Sequence, residues 1–375
     1  MKELGIYVHI PFCKRKCYYC DFCSYERNDE IHKKYKEALI NEIRAFNVEY
    51  ESIVKTVYIG GGTPSIIDEN YIAEIVEALK SKFNIDESAE ITIEVNPGTA
   101  NIDKIKKYKE LGINRLSLGL QSTEDRLLKL IGRIHTYNEF EEVYEMARNT
   151  SFNNINVDLM IGLPTQTLKD VESSLNKIIE KNPEHISVYS LIVEEETKID
   201  KMLKSGEISL PDEEIERAMY WKVKHMLEDN GYIHYEISNF AKKGFESKHN
   251  VDCWKQKEYV GFGIAAHSYL NGQRYSNTSD LNIYMNCNDF ECIKEIDEIQ
   301  SKQDKMNEFV MLGLRMIKGI DIAEFEARFK VRFEETYSEQ IQRLINEELV
   351  ELKDNRFYLS SKGIDFANIV WSEFI

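Results

Sequence analysis

Residues 4–23 read LGIYVHIPFCKRKCYYCDFC, and this stretch decides both the fold and the chemistry. Leu4–Ile10 is a short run rich in Ile, Val and Tyr, stopped by Pro11, the pattern of a strand entering a loop. The loop carries Cys13, Cys17 and Cys20 in CxxxCxxC spacing, with Cys23 three residues further on. Three thiolates on one short loop can reach three corners of a compact cubane, whereas tetrahedral zinc normally takes two well-separated pairs. Cys17 and Cys20 form a CxxC, but no second CxxC or HxxxH completes a zinc site. An iron–sulfur cluster, a zinc-stapled loop and free thiols at a strand end are the three readings of this segment. Four of the seven cysteines fall within eleven residues, which fits metal binding in a reducing compartment better than disulfide pairing.

Outward from this loop, short apolar runs alternate with longer amphipathic segments. Further strands are expected at Lys55–Ile59, Glu90–Asn96, Arg115–Leu120, Asn156–Ile161 and His185–Leu191. Helices are expected at Glu30–Phe46, Asp68–Lys82, Asn101–Leu111, Asn138–Arg148 and Leu168–Glu180. Such alternation means βαβ units and a parallel sheet. Two more units would be needed for an eight-fold barrel, and Pro211–Phe240 offers only one long helix and a strand-like YIHYEISNF. The expected architecture is an incomplete barrel or open α/β sheet over residues 1–240. A connector with weak periodicity follows over 241–300, then a winged-helix-like α+β module over 301–375. Helices at Lys305–Met316, Ile322–Arg328 and Ser338–Asn346, and a hairpin turning at Asp354–Asn355, make up that module. It has little clustered basic charge, so packing or a protein partner suits it better than DNA.

In parallel sheets chemistry gathers at the C-terminal ends of the strands. The second strand ends in YIGGGTP (58–64), whose glycines let backbone groups approach a ligand. The third ends in IEVNP, with Glu94 at the rim, and the fourth in GLQS, with Gln121. Arg133 follows in GRIH, and Asp158 sits in the fifth strand in VDLMIGLP. A polar group or glycine turn at each successive strand end is hard to explain as packing.

The cysteine spacing after the first strand resembles the radical S-adenosylmethionine superfamily, whose fold is a partial (βα)6 barrel. The resemblance implies a [4Fe–4S] cluster on Cys13, Cys17 and Cys20. Its open iron would chelate S-adenosylmethionine, and one-electron reduction would yield a 5′-deoxyadenosyl radical. YVHIPFCKRKCYYCDF, GGGTP and DLMIGLP together are similar to the oxygen-independent coproporphyrinogen III oxidase family and its shorter haem-chaperone branch, the HemW proteins. That similarity implies S-adenosylmethionine contacts from Tyr7, Tyr19, Gly61, Gly62, Thr63, Glu94, Gln121, Arg133, Asp158 and Ile192. Twelve residues precede Cys13, and Phe22 stands where the oxidase pattern has a further cysteine, as in the chaperone branch. Residues 249–254, HNVDCW, are similar to that branch's HNxxYW, with Cys253 in place of Tyr. His249, Cys253 and Trp254 are thereby the haem candidates, since His and thiolate are axial ligands and Trp can cover a porphyrin face. On its own chemistry, a His beside Asn and Trp is equally a satisfied structural histidine. GFGIAA fits a loose GxGxxA pattern, without the strand and acidic partner of a dinucleotide site.

The expected function is haem binding and delivery to haem-requiring apoproteins, with an electron donor as a further partner and homodimerisation left open. A radical oxidase or decarboxylase acting on a porphyrinogen is the alternative, and a zinc-stapled interaction protein the third. A formal charge of −17 in 375 residues argues against nucleic-acid and anionic-membrane partners. No apolar stretch approaches the ~18–20 residues that span a bilayer, and the expected location is the cytoplasm. Replacing Cys13, Cys17 or Cys20 by Ser is expected to abolish an intact cluster, measured as iron and sulfide after anaerobic reconstitution; full iron retention would refute the assignment.

Overall fold

The computed structural model describes residues 1–47, 50–296 and 299–375. Six parallel strands form its centre: β1 (Lys2–Ile10), β2 (Ser52–Gly61), β3 (Ile85–Val95), β4 (Arg115–Gln121), β5 (Ile155–Ile161) and β6 (His185–Ser190). The connecting helices are α1 (Asp29–Ala45), α2 (Glu69–Lys82), α3 (Ile102–Glu110), α4 (Asp125–Leu130), α5 (Tyr137–Asn149) and α6 (Leu168–Lys181). Asn28, Asp68, Asn101, Thr136 and Thr167 start five of them by accepting a first-turn N–H, each such cap being worth about 1 kcal/mol. β3 begins five residues before its apolar pattern does. Asp86, Glu87 and Ser88 are polar, and Glu87 and Ser88 are exposed, so backbone pairing of Ile85 with Val54 extends the strand where no apolar alternation marks it.

The helices α7 (Lys198–Lys204), α8 (Glu213–Asp229) and α9 (Lys248–Trp254) follow, and six further strands widen the sheet. Beyond β6 lie β8 (Asn239–Ala241) and then β7 (Ile233–Glu236), both antiparallel. On the other side β9 (Tyr259–Phe262) pairs parallel with β1, followed by β10 (His267–Leu270), β11 (Gln273–Asn277) and β12 (Lys294–Ile296). The stretch 271–301 thus carries two strands and a short helix at Leu281–Met285. Its weak periodicity has a physical cause: outlying strands such as β11 are only partly buried, and a ladder needs no apolar face.

The strands alternate strictly between two environments. Ile6, Val8, Ile10, Val57, Ile59, Ile93, Leu116, Leu118, Val157 and Ile186 pack into one core under the helices. The intervening residues on the other face are polar: Tyr7 and His9, Thr56 and Tyr58, Glu90, Thr92 and Glu94, Arg115 and Ser117, Asn156 and Asp158, His185 and Ser187. A parallel sheet covered on both faces normally reads as continuous hydrophobic runs. Here one face lines a polar lumen.

The C-terminal module has its own core around Phe309, Phe325, Phe333, Tyr337 and Phe357. Helices at Lys302–Gly313, Ile322–Phe329 and Ser338–Asn346 surround a three-stranded antiparallel sheet. Its hairpin, Val350–Lys353 with Arg356–Leu359, turns through Asp354 and Asn355 at φ 52° and 61°, a geometry that Asn and Asp tolerate. The module is tied to the sheet edge by Ile317 N–H on the Tyr235 carbonyl (3.1 Å) and Ile237 N–H on the Arg315 carbonyl (3.0 Å).

A buried carboxylate clamps α1 to the widened sheet. Glu42 accepts from the Gly263 N–H (2.8 Å), from Asn277 Nδ2 (2.7 Å) and from the Tyr284 hydroxyl. Burial pushes its pKa up to about 7, against these donors. A carboxyl raised above its unfolded value of 4.5 binds its proton more tightly when folded, so it favours the folded state fully at acidic pH and progressively less as pH climbs toward 7. Urea melts between pH 4.5 and 7.5 should show Glu42→Gln removing a decline on the order of 2 kcal/mol. An unchanged slope would show that Glu42 does not titrate in this range.

Candidate functional site

The cysteine loop is held as a closed turn at the end of β1. Cys13 N–H donates to the Tyr25 carbonyl (3.0 Å), and Tyr25 N–H to the Pro11 carbonyl (2.7 Å). Tyr18, midway along, is fixed on both sides: its N–H reaches the Ile131 carbonyl (3.0 Å) and its carbonyl accepts the Ile199 N–H (2.8 Å). All seven cysteines are free thiols. Burial raises the pKa of Cys13, and that of Cys20 to about 11. Among the described residues no three Cys, His, Asp or Glu side chains converge as a single metal ion would require. A cubane takes one thiolate per iron, and Cys13, Cys17 and Cys20 supply three free thiols on this one loop.

The end of β2 passes close beneath this loop. A Cβ on Gly62 would lie 2.7 Å from the Phe12 carbonyl oxygen and 3.1 Å from Cys13 Sγ, and Gly61, at φ 112°, would bring one to 2.7 Å from the His9 ring. Only glycine permits that approach. Thr63 Oγ1 is 3.5 Å from Cys13 Sγ. From β3, Glu94 accepts from Tyr58 Oη (2.8 Å) and from the Gly61 N–H (3.2 Å). Burial pushes its carboxyl up to about 7, and the nearby Asp158 adds to the rise. Arg133 places NH1 at 3.5 Å from Cys17 Sγ and donates NH2 to the Gly119 carbonyl. Tyr19, half-buried, lies in electrostatic reach of Arg133, Cys17 and Cys20.

Gln121 ends β4 in the left-handed region, at φ 74°. Asp158 on β5 accepts from Asn156 Nδ2 (2.7 Å) and Ser117 Oγ (3.3 Å). The residues expected to bind the ligand lie on the loop, along the inner face of the strands or just past their ends, and Ile192 follows the sixth strand. It lies two residues past β6 with its side chain 70% exposed.

The haem candidates divide between two sides of α9. His249 and Cys253, one helical turn apart, line a cavity of about 450 Å3 together with Tyr7, His9, Cys23 and Tyr259. His249 Nδ1 lies 3.0 Å from Thr56 Oγ1, and its ring stacks on Tyr58. Burial, with Arg115 nearby, lowers its pKa to about 4, so the imidazole is neutral. Burial pushes the Cys253 thiol up to about 12. Trp254 instead faces the C-terminal module, with the Arg315 guanidinium 4.3 Å above its ring. Tyr58 and His9 were not singled out by motif reading, and Cys23 was read only with the cysteine loop. Tyr58 and His9 could have been found by continuing the every-second-residue polar pattern along β2 and β1, whereas no sequence signal brings Cys23 to α9.

The profile of the Radical SAM superfamily matches residues 7–178, and that of the HemN C-terminal domain matches residues 300–366. The heme chaperone HemW of Lactococcus lactis subsp. lactis strain IL1403 is 38% identical over 375 residues, covering 100% of this chain and 98% of that protein. HemW of Bacillus subtilis strain 168 is 35% identical and is covered to 98%, as is this chain. HemW of Escherichia coli K12 is 33% identical over 87% of this chain and 86% of that protein. Among solved structures, the radical SAM enzyme coproporphyrinogen III oxidase (HemN) of Escherichia coli aligns with a TM-score of 0.85 at 23% identity. The alignment covers 100% of this chain and 90% of that one, a likeness of fold.

Gly62→Ala tests the close approach. It is expected to cost about 1–3 kcal/mol and to lower iron loading by displacing Cys13, read from thermal melts and iron content. Normal loading would show that the loop tolerates the added methyl.

Proposed function

The chain belongs to the HemW family of the radical SAM superfamily, and from that membership we propose that it binds haem in the α9 cavity beside its cluster loop and passes it to haem-requiring proteins. The observation that carries this reading is the convergence of His249 and Cys253 with Cys23 on one cavity. Its volume, about 450 Å3, lies within the ~300–1,000 Å3 usual for small-molecule sites. A neutral imidazole is the form that ligates iron, and the low pKa of His249 keeps it so throughout the physiological range.

Cys13, Cys17 and Cys20 are the residues to hold a [4Fe–4S] cluster, with Gly61, Gly62, Thr63, Glu94 and Asp158 facing S-adenosylmethionine from the strand ends. When bound, that pair supplies one-electron chemistry, which requires an external electron donor. The chain's own contribution is placement. Arg133 sets a fixed positive charge against Cys17, and Glu94 presents a carboxylate already oriented by Tyr58 and the Gly61 N–H. Among the described residues no helix is long and apolar enough to cross a membrane.

Haem titration of the cluster-loaded protein tests the reading. Saturable 1:1 binding is expected, with His249→Ala weakening it at least about ten-fold and Cys253→Ala changing the haem absorption spectrum. Equal binding by wild type and both variants would place haem elsewhere, and turnover of coproporphyrinogen III under anaerobic reducing conditions would favour the enzymatic alternative.

A further inference from the structure

The lumen contains a directional hydrogen-bonded chain that none of the motifs accounts for. At the base of the sheet the Ser247 N–H, at the start of α9, donates to Tyr235 Oη (3.2 Å). Tyr235 Oη is 2.7 Å from His185 Nε2, and His185 Nδ1 is 2.6 Å from Asn156 Oδ1. Asn156 Nδ2 then reaches Asp158 Oδ1 at 2.7 Å, and also Ser117 Oγ (2.8 Å), which reaches Asp158 Oδ2 (3.3 Å).

The direction of every link is forced from the acid end. Asn156 presents its amide nitrogen, which only donates, to Asp158 Oδ1 and Ser117 Oγ. Its carbonyl oxygen must then accept, from Ser187 Oγ (3.0 Å) and from His185. His185 therefore carries its proton on Nδ1, leaving Nε2 to accept from the Tyr235 hydroxyl. Tyr235, Asn156, Ser117 and His185 are buried, His185 completely, while Asp158 is half-buried at the lumen; burial holds the His185 imidazole neutral, as the chain requires. A fully satisfied buried network fixes one geometry, whereas apolar packing at the same positions would do as well for stability alone.

We propose that His185, with Asn156 and Tyr235, is a positioning relay that sets the orientation of the Asp158 carboxylate in the lumen from the base of the sheet. The proposal rests on the reading that Asp158 faces S-adenosylmethionine. The relay is anchored where the modules meet, because the Tyr235 carbonyl also accepts the Ile317 N–H of the C-terminal module (3.1 Å).

The test measures S-adenosylmethionine affinity by equilibrium dialysis on the full, cluster-loaded chain for wild type, Asp158→Asn, Tyr235→Phe, His185→Met and His185→Gln. Tyr235→Phe and His185→Met are expected to weaken binding about ten-fold at unchanged iron content. His185→Gln, whose single amide can donate to Asn156 and accept from Tyr235, should recover to within about two-fold of wild type. If His185→Met fails to load its cluster, Tyr235→Phe decides. Wild-type affinity in Tyr235→Phe, or His185→Gln as weak as His185→Met, would overturn the relay. Wild-type affinity in Asp158→Asn would overturn the underlying reading of Asp158 as well.

Discussion

A sheet whose inner face is polar must satisfy that face from within, and the rest of this structure follows from that constraint. Glu94, Arg115, Asp158 and His185 stand on the strands where Val and Leu would be usual, and His249 of α9 packs against the same face. Burying such groups unpaired costs several kcal/mol each. The strands meet the requirement largely with one another: Tyr58 donates to Glu94, Asn156 and Ser117 to Asp158, and Thr56 pairs with His249. Among the described residues, exceptions on this face include Arg115, fully buried with Nε and one terminal nitrogen lacking a partner, and Thr92, whose buried hydroxyl also lacks one. The Arg115 charge still lies within reach of Glu94 and Asp158 and offsets part of the rise that burial gives both carboxyls. The lumen is thus a polarised environment built before any ligand enters, which is the condition for electrostatic preorganisation.

The cysteine loop depends on that sheet in turn. Its closure through Tyr25 and Pro11 fixes the loop's ends, but its position over the lumen comes from Gly62 passing against Phe12 and Cys13. Arg133, reaching from beyond β4, joins the loop to the Gly119 carbonyl. The C-terminal module secures the opposite end. It caps the edge of β7 and holds α9 through the Arg315–Trp254 stack. The helix bearing His249 and Cys253 is therefore gripped by both parts of the chain, with its lumen side on one cavity and its outer side on the module.

Much of this was legible in the linear chain. The six central strands and their helices follow from short apolar runs between capped amphipathic segments, because burial of one helical face and a side-chain cap are local properties. The hairpin at Asp354–Asn355 was legible for the same reason, since both residues tolerate the positive φ that such a turn needs. Strand ends carrying GGGTP, Glu94, Gln121 and Asp158 marked the site, because parallel topology alone gathers them at one rim. The outlying strands in 271–301 were not legible: their pairing is a backbone property, and half-exposed strands leave no apolar signature.

The sequence by itself determined the α/β alternation, the cysteine loop and its place after the first strand, and the set of polar residues at the strand ends. Only the tertiary structure decided that β9 returns parallel to β1, that α9 turns His249 and Cys253 toward the loop while Trp254 faces the module, and that Tyr235, His185 and Asn156 line up behind Asp158. The reason is separation along the chain. Spacing within a segment records which face a side chain takes, but a hydrogen bond between residues 185 and 235, or a cavity shared by residues 23 and 253, depends on how strands pair and helices dock, and no local pattern encodes that.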